Sequence, residues 1–556
     1  MFGKLMKHTP LVVILIFLTG LFVLTYFQIV NRMDGHFIYA IDDAYIHMAV
    51  GQNLVDHGVW GTQATGFSAA TSSLLYPIMI AIVYAVIGSG HDWVALVLNV
   101  VASYGVVVTF YRILQQEGAS DRVTFIFLVL FVMASPIIAV AFMGMEHIFQ
   151  IWFFILFIYH VSKVAAAERG TVTLRDYGWL FFLAILQTGI RYEGIFTLVC
   201  VAVVFLLRLR ILPALGTLLI GSLPLVLFGV YSVSEGSLPI PNSVYLKGSV
   251  GTYNTFADYL NAIRPDVVLA STYQSSVLWL MVIVVVLGAV LAVFRWRNAH
   301  AVNGETVSWQ SRLQQFWTPE NVLVLLFIGN TILHNQFTHT SFLRYEAYLM
   351  GGFFLICGIL LTKILKVAPL SARRRVSIAV GLMLVALCLM PTYVNPALRS
   401  ASALLTPDWV QDIYWQQYQF MRFMDQELPP GTVVAINDIG TTSYYTDIPY
   451  LDLYGLANVE IARAGGMYTI PAEDAWNLFE ERHAEYAIVY DDWVQRLIPP
   501  GWVPVAQWSM PNYTINYGET IAFYAADSQR AETMLAGLHD YESQLPEAIT
   551  VRYLAE

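Results

Sequence analysis

The sequence predicts an α-helical polytopic membrane protein that ends in an α/β domain outside the cytoplasm. Of its 556 residues, 57% are hydrophobic and only 12% are charged, which is about half the charged share of a soluble chain. Many apolar stretches approach or reach the roughly 20 residues that cross a bilayer as a helix. Residues 394–556 contain seven arginines, no lysine and 22 acidic residues, a net formal charge of −15, which leaves +5 for residues 1–393.

The apolar stretches predict about 11–13 transmembrane helices within residues 1–393. The first stretch follows Lys4 and Lys7 and is too long for a signal-peptide core, so we expect a retained helix with a cytoplasmic N-terminus. Pro77 interrupts the second stretch, which we expect to lie along the interface or to re-enter. The segment 177–207 is long enough for two short helices. The candidate spans are 11–30, 73–90, 94–114, 123–141, 148–165, 177–207, 211–233, 276–294, 319–338, 345–365 and 376–392.

Charge sets the expected orientation. The most basic loops, at 208–210, 295–300 and 372–375, are predicted to be cytoplasmic. Counting outward from them places 234–275, 335–344 and everything after 392 outside, in a multi-pass protein of the inner or plasma membrane. A basic membrane part with an acidic tail also argues against nucleic acid as a partner.

The tail, residues 394–556, predicts a small α/β domain. The segments "TVVAIND", "YLDLYG", "YAIVYDD" and "TIAFYAA" have the composition of short strands. The segment 471–483, "PAEDAWNLFEERH", has acidic residues in its first turn and predicts a helix. Strand and helix signals that alternate in this way are typical of α/β domains.

Two adjacent carboxylates, Asp42 and Asp43, follow the first apolar segment. The residues after them predict a short amphipathic helix in the membrane interface, ended by Gly58. A helix N-cap explains one of the two carboxylates but not both. The next stretch, "GTQATGFSAATSSLLYP", is rich in hydroxyl groups and glycine, which suits a polyhydroxyl ligand, although a solvated loop would have the same composition.

Further ionisable residues lie near or within apolar segments. Glu146 and His147 separate two spans, and Arg191 and Glu193 interrupt another. Charged groups at membrane depth are energetically costly and by default indicate a functional cavity. The structural alternative is an Arg–Glu pair that locks two helices together.

Two outer loops add polar groups of another kind. "SLPIPNSVYLKG" supplies Asn242, Tyr245 and Lys247, and "HNQFTHTSFLRYEAYL" supplies His339 and Arg344. Lys247 and Arg344, together with Arg191, are suited to neutralise a phosphate group. A divalent metal held by the aspartates and histidines such as His339 is a further alternative, although the spacings match no strong motif. Motifs for P-loop, dinucleotide, zincin and serine-hydrolase sites are absent from the sequence.

In this order, the motifs resemble those of the bacterial GT-C membrane glycosyltransferases, in particular the subgroup that contains the terminal arabinofuranosyltransferase. They are "DDAYI" at 42–46, "GME" at 144–146, "RYEG" at 191–194, "PNSVYLK" at 241–247 and "NDIGTTSYYTDIPYLDLYGLAN" at 437–458. The resemblance spans nearly the whole chain. Tyr192 stands where proline is usual, His147 stands where threonine is common, and the loop after Gly58 lacks the usual Gly-Tyr-Thr-Asn-Pro.

The resemblance implies an inverting glycosyltransferase that takes sugar from a polyprenyl-phosphate donor. The acceptor is an extracytoplasmic glycan, lipid or protein of the cell envelope. We expect Asp42 to be the general base and Asp43 its partner, which caps the helix. Substrate contacts are expected from Glu146, His147, Glu193, Asn242, Tyr245 and Asp438, and Tyr444 is a further candidate for acceptor binding. The alternative is a transporter or flippase of lipid-linked saccharide whose tail domain binds sugar.

Overall fold

The computed structural model describes residues 8–247, 261, 264, 277–303, 316–338, 344–375, 381, 406–510 and 518–555. Up to residue 375 the described part is mostly helical, with one large apolar core and a smaller apolar cluster around Trp60. The helices are Thr9–Arg32, Asp43–Asp56, Leu75–Ile87, Val94–Gln116, Asp121–Ala134, Ile137–Phe142, His147–Ala166, Leu174–Ile190, Gly194–Leu207, Ile211–Gly221, Leu223–Ser234, Asn242–Lys247, Val277–Asn303, Pro319–Phe337 and Ala347–Val367.

Six of the described helical segments are long and apolar enough to cross a membrane. They are Thr9–Arg32, Val94–Gln116, His147–Ala166, Ile211–Ser234, Trp279–Asn298 and Ala347–Val367. Leu75–Ile87 and Gly194–Leu207 are shorter apolar helices. At about 1.5 Å per residue neither reaches the thickness of a bilayer core alone. The predicted span 376–392 lies outside the described residues.

Two predicted spans are interrupted for identifiable reasons. The stretch 123–141 divides after Ala134, where Ser135 is extended and Pro136 lacks the N–H that would continue the helix. The stretch 177–207 forms two helices, because Arg191 has extended backbone angles, with φ −153° and ψ 140°. This second break places Arg191 and Glu193 between two helix ends.

The helix Asp43–Asp56 differs from the expected surface helix. All residues from Ala44 to Gly51 are buried, because the helix packs between the membrane helix Leu75–Ile87 and the tail helix Gly440–Tyr445. The helix ends at Asp56, two residues before Gly58, whose φ is +69°. It therefore lies between the two halves of the protein rather than on a lipid-facing surface.

The tail contains a mixed six-stranded sheet flanked by helices, as the sequence predicts. The strands are β1 Val433–Ile436, β2 Tyr450–Asp452, β3 Ala484–Tyr490, β4 Val503–Ser509, β5 Thr520–Ala525 and β6 Thr550–Tyr553. Their order is β2-β1-β3-β5-β4-β6. The first three strands are parallel and the others pair antiparallel. The sequence predicted β1, β2, β3 and β5 but missed β4 and β6.

Helices cover both faces of this sheet. One face packs against Gln419–Glu427 and Ser528–Glu542, with Phe423 and Trp508 fully buried between them. The other face packs against Val459–Arg463 and the predicted helix, observed at Ala472–Glu481. The remaining tail helices are Thr406–Ile413, Tyr414–Tyr418, Gly440–Tyr445 and Asp491–Val494. The Gly440–Tyr445 helix follows β1 and packs against the helix Asp43–Asp56 of the membrane part.

Candidate functional site

A cavity of about 470 Å³ opens among the membrane helices, below the tail domain. Charged side chains in its lining are Asp43, Arg191, Glu193 and Lys247. The helix that begins after Glu193 continues the lining with Ile195, Phe196 and Val199, which follow one another on one face of that helix. Leu225, Leu333 and Phe337 add further apolar surface. The cavity thus joins a charged region to an apolar one.

Asp43 is held by two cationic side chains. Lys247 Nζ lies 2.9 Å and 3.0 Å from the two carboxylate oxygens of Asp43, and Arg344 Nη1 lies 3.3 Å from Oδ2. Burial opposes the ionisation of Asp43, but Lys247 and Arg344 outweigh it and hold the pKa of this carboxyl well below its usual range. Asp43 is therefore ionised in this arrangement. Its partners come from the last residue of one short helix and from the residues before Ala347–Val367.

Arg191 forms a second ionic cluster beside the first. Its guanidinium group donates to Glu146 Oε1 at 2.6 Å, and to the carboxylate of Glu193 at 3.0 Å and 2.5 Å. Ser72 donates to the same Glu146 oxygen at 3.0 Å, and His47 Nε2 lies 3.4 Å from the other oxygen. The Arg–Glu lock considered from the sequence is therefore present, and it forms one wall of the cavity.

Asp42 points away from the cavity and toward the tail domain. The backbone N–H of Gly440 donates to Asp42 Oδ2 at 2.6 Å, and that of Thr441 donates to Oδ1 at 2.9 Å. Burial, and after it the nearby Asp438 carboxylate, raises the pKa of Asp42, against the two amide hydrogen bonds that lower it. Asp42 occupies the N-cap position of its helix but its side chain makes no capping hydrogen bond, and Asp43 is directed to its two cations. The expected carboxylate cap is thus replaced by contacts with other parts of the chain.

The other predicted residues divide between the cavity, the core and the junction with the tail. His147 is fully buried and Asn242 donates to the Leu456 carbonyl of the tail at 3.1 Å. Asp438 accepts from Gln417 Nε2 at 2.7 Å, and Tyr444 shares a hydroxyl hydrogen bond of 3.0 Å with Tyr84. None of these four lines the cavity, and Tyr245 does not either.

The structure supports no metal centre among the residues that it describes. No group of three or more His, Cys, Asp or Glu side chains there is arranged to hold an ion. His339, one of the predicted ligands, lies outside the described residues. Asp43 faces Lys247 and Arg344, and two cations beside a carboxylate oppose the binding of a third.

Two aromatic residues near the ionic clusters were not singled out from the sequence. Tyr345 lines the cavity, with the guanidinium carbons of Arg191 and Arg344 at 5.1 Å and 4.8 Å from its ring centroid. Tyr454 comes from the tail, and Lys247 Nζ lies 5.8 Å from its ring centroid. All three distances fall within cation–π range. The sequence signals that could have identified them were the position of Tyr345 next to Arg344 and the position of Tyr454 within the tail motif.

The comparisons with known proteins agree with this architecture. A family model described as a domain of unknown function, DUF8728, matches residues 411–525. A comparison with curated proteins gives no match. The structure is similar to the crystal structure of ArnT from Cupriavidus metallidurans in the apo state, with a TM-score of 0.50 and 12% sequence identity, over 94% of this chain and 99% of that one. ArnT is a GT-C glycosyltransferase, so the chain has the predicted GT-C fold, while the arabinofuranosyltransferase-like subgroup stays a prediction.

Proposed function

We propose that this protein is an inverting glycosyltransferase that moves a sugar from a polyprenyl-phosphate donor to an acceptor outside the cytoplasm. The observation that carries the proposal is the cavity itself, because its lining joins cations to a long apolar surface. A polyprenyl-phosphate sugar has the same two parts, a charged head and a hydrocarbon chain. The acceptor is a glycan, lipid or protein of the cell envelope, and the GT-C fold is consistent with all three.

Lys247 and Arg344 are the proposed phosphate ligands. Both side chains already contact a carboxylate oxygen of Asp43 within 3.3 Å, so a phosphate oxygen at this position would meet two N–H donors. Arg191 adds positive charge next to them, although Glu146 and Glu193 compensate it. Such cations stabilise the charge that develops on a phosphate leaving group.

Asp43 is the proposed general base, in place of Asp42. It lines the cavity, whereas the oxygens of Asp42 are occupied by tail amides. When the donor phosphate takes over Lys247 and Arg344, the Asp43 carboxylate loses its partners and regains basicity. The acceptor hydroxyl then transfers its proton to Asp43 while its oxygen bonds to the anomeric carbon. The bond from that carbon to the phosphate oxygen breaks, and polyprenyl phosphate leaves with the electron pair.

The test is transfer by the purified full-length protein in lipid nanodiscs with a panel of polyprenyl-phosphate sugars. Loss of donor and formation of polyprenyl phosphate are followed by mass spectrometry. Asp43→Asn should lower turnover by roughly 10²–10⁴-fold, the usual contribution of a general base. Asp56→Asn is the matched control, because Asp56 is an exposed aspartate at the other end of the same helix.

Two results would count against the enzyme. Normal turnover in Asp43→Asn would remove the proposed base, and Asp42→Asn measured beside it would show whether the neighbouring carboxylate has that role. Tight binding of every donor without consumption of any would favour the transporter or flippase.

A further inference from the structure

The side chain of Asp42 has no role in the proposed reaction, yet both of its carboxylate oxygens contact the tail. Its two oxygens accept from consecutive backbone amides, those of Gly440 and Thr441. Asp43, the next residue, faces the cavity. Successive residues at the start of a helix project about 100° apart, so Asp42 and Asp43 face different parts of the protein. Because the two residues are adjacent in the chain, a shift of Asp42 also shifts Asp43.

Resting on the proposed function, we propose that Asp42 is a positioning residue: with Gly440 and Thr441 it forms an interdomain latch that fixes Asp43 against its substrates. The latch couples docking of the tail to the geometry of the transfer step. Loss of the latch lowers turnover even though Asp43, Lys247 and Arg344 all remain in the protein.

Gly440 provides a second and independent observation. A Cβ atom at this position would lie 2.1 Å from the Asp42 carbonyl oxygen and 2.7 Å from Oδ2. Because such a contact is impossible with a backbone atom, any larger side chain must push the two parts of the protein apart. The φ angle of Gly440 is not positive, so the close approach, and not the backbone conformation, is what requires glycine there.

The tail side of the latch is held firmly within its own domain. The Thr441 hydroxyl donates to the Gln417 carbonyl at 3.2 Å. The side-chain amide of Gln417 donates to Asp438 at 2.7 Å and to the Tyr490 hydroxyl at 2.9 Å. Tyr490 is the last residue of β3. Displacement at Gly440 is therefore transmitted to the sheet and is not absorbed by a loose loop.

Separate contacts of the tail, outside the latch, reach the segment that carries Lys247. Tyr454, which follows β2 in the same domain, lies near Lys247, and Leu246 approaches the glycines at 455 and 466. The tail therefore contacts both the carboxylate-bearing segment and the segment that carries Lys247. Packing of the tail against the membrane part therefore positions both Asp43 and Lys247.

The experiment compares Asp42→Asn, Gly440→Ala and the double variant in the full-length protein. Transfer kinetics give kcat and the donor KM, and hydrogen exchange reports the amides of Gly440 and Thr441. Gly178→Ala is the matched control, because nothing lies within 4 Å of a Cβ atom there. Exchange of β1 and β3 amides shows whether the tail itself stays folded.

We expect both single variants to lose protection at the two amides and to lower kcat by roughly 10- to 100-fold, the effect of a displacement near 1 Å. The donor KM should change much less, since the phosphate ligands remain. The double variant should equal the stronger single variant, because both changes break one contact. Gly178→Ala should behave as wild type.

Three outcomes overturn the latch. The first is a double variant whose loss of kcat equals the product of the two single losses. The second is a Gly440→Ala variant that has a normal kcat although the amides of residues 440 and 441 are unprotected. The third is an inactive Asp42→Asn variant in which the amides of Gly440 and Thr441 stay protected. The last would place Asp42 in the chemistry. A wild-type protein that transfers no sugar refutes the proposed function. The exchange measurement needs no turnover, so protection of the amides of Gly440 and Thr441 still tests whether the latch forms.

Discussion

Replacement of Asp43 by asparagine should abolish transfer but strengthen the binding of polyprenyl phosphate. The carboxylate of Asp43 is bonded to the two cations that would bind the phosphate, with three distances between 2.9 Å and 3.3 Å to Lys247 and Arg344. Asparagine keeps the size of the side chain and removes its charge. The two cations are then free to bind phosphate, and the repulsion between carboxylate and phosphate disappears.

The size of the effect follows from these contacts. A hydrogen bond to a charged group contributes about 1.5–3 kcal/mol. The side chains of Lys247 and Asp43 are 26% and 23% exposed, so solvent screening places the gain at the lower end, about 1–2 kcal/mol. At about 1.4 kcal/mol per tenfold change, this is a roughly 5- to 30-fold decrease in Kd.

The assay is titration of the nanodisc-embedded protein with a short-chain polyprenyl monophosphate, followed by calorimetry. Asp56→Asn should bind as wild type does. Raising the salt concentration should narrow the difference between Asp43→Asn and wild type only slightly, since the site is largely shielded from solvent. If Asp43→Asn binds polyprenyl phosphate more weakly than wild type, Asp43 does not compete with phosphate, and the sequence of events proposed above is refuted.

Four further predictions concern other groups. Lys247→Met should raise the donor Kd about tenfold or more, measured by the same titration, and an unchanged Kd would remove Lys247 from the phosphate site. Glu146→Gln should lower the free energy of unfolding, measured by thermal unfolding, by about 3–5 kcal/mol, because it leaves the buried Arg191 with Glu193 as its remaining carboxylate partner. Glu193→Gln, at a side chain that is 16% exposed, should cost less in the same assay. Burial raises the pKa of Asp452 in the tail to about 6, against hydrogen bonds from four backbone amides that lower it. The stabilisation from a carboxyl group with a raised pKa is complete below its unfolded pKa of about 4 and is lost as pH rises through about 6. The Tm of wild type relative to Asp452→Asn should therefore fall between pH 4 and pH 7, and a parallel pH dependence of the two would contradict this. A reporter that works only in the cytoplasm should be inactive when fused after Glu556, whereas an active one would reverse the proposed orientation.

The membrane part could be predicted because its signal is local. Long apolar runs predict helices wherever they occur, and charged residues that interrupt such a run mark a break, as Arg191 does. The strands β1, β2, β3 and β5 carry dense β-branched and aromatic residues and were found. β4 contains Pro504, which cannot donate to a sheet hydrogen bond, and β6 contains Arg552 and has no buried residue, so neither has the pattern of a buried strand.

The different directions of the Asp42 and Asp43 side chains could not be predicted from local sequence. The two residues are adjacent and chemically identical, and what separates them is the rotation of one residue along a helix. The direction of each is set by groups about 200 to 400 residues away, namely Lys247, Arg344, Gly440 and Thr441. Only the packing of the tail onto the membrane part shows which carboxylate faces the cavity.

The balance of charge around the cavity has a consequence for selectivity. Three cationic side chains, those of Arg191, Lys247 and Arg344, are matched by the carboxylates of Asp43, Glu146 and Glu193. An anion in free solution gains little from such a region, since it must displace a carboxylate that is already in place. A ligand with a long hydrocarbon chain gains additional binding energy from the apolar lining. We therefore expect the proposed donor site to bind polyprenyl phosphate in preference to inorganic phosphate and soluble nucleotides.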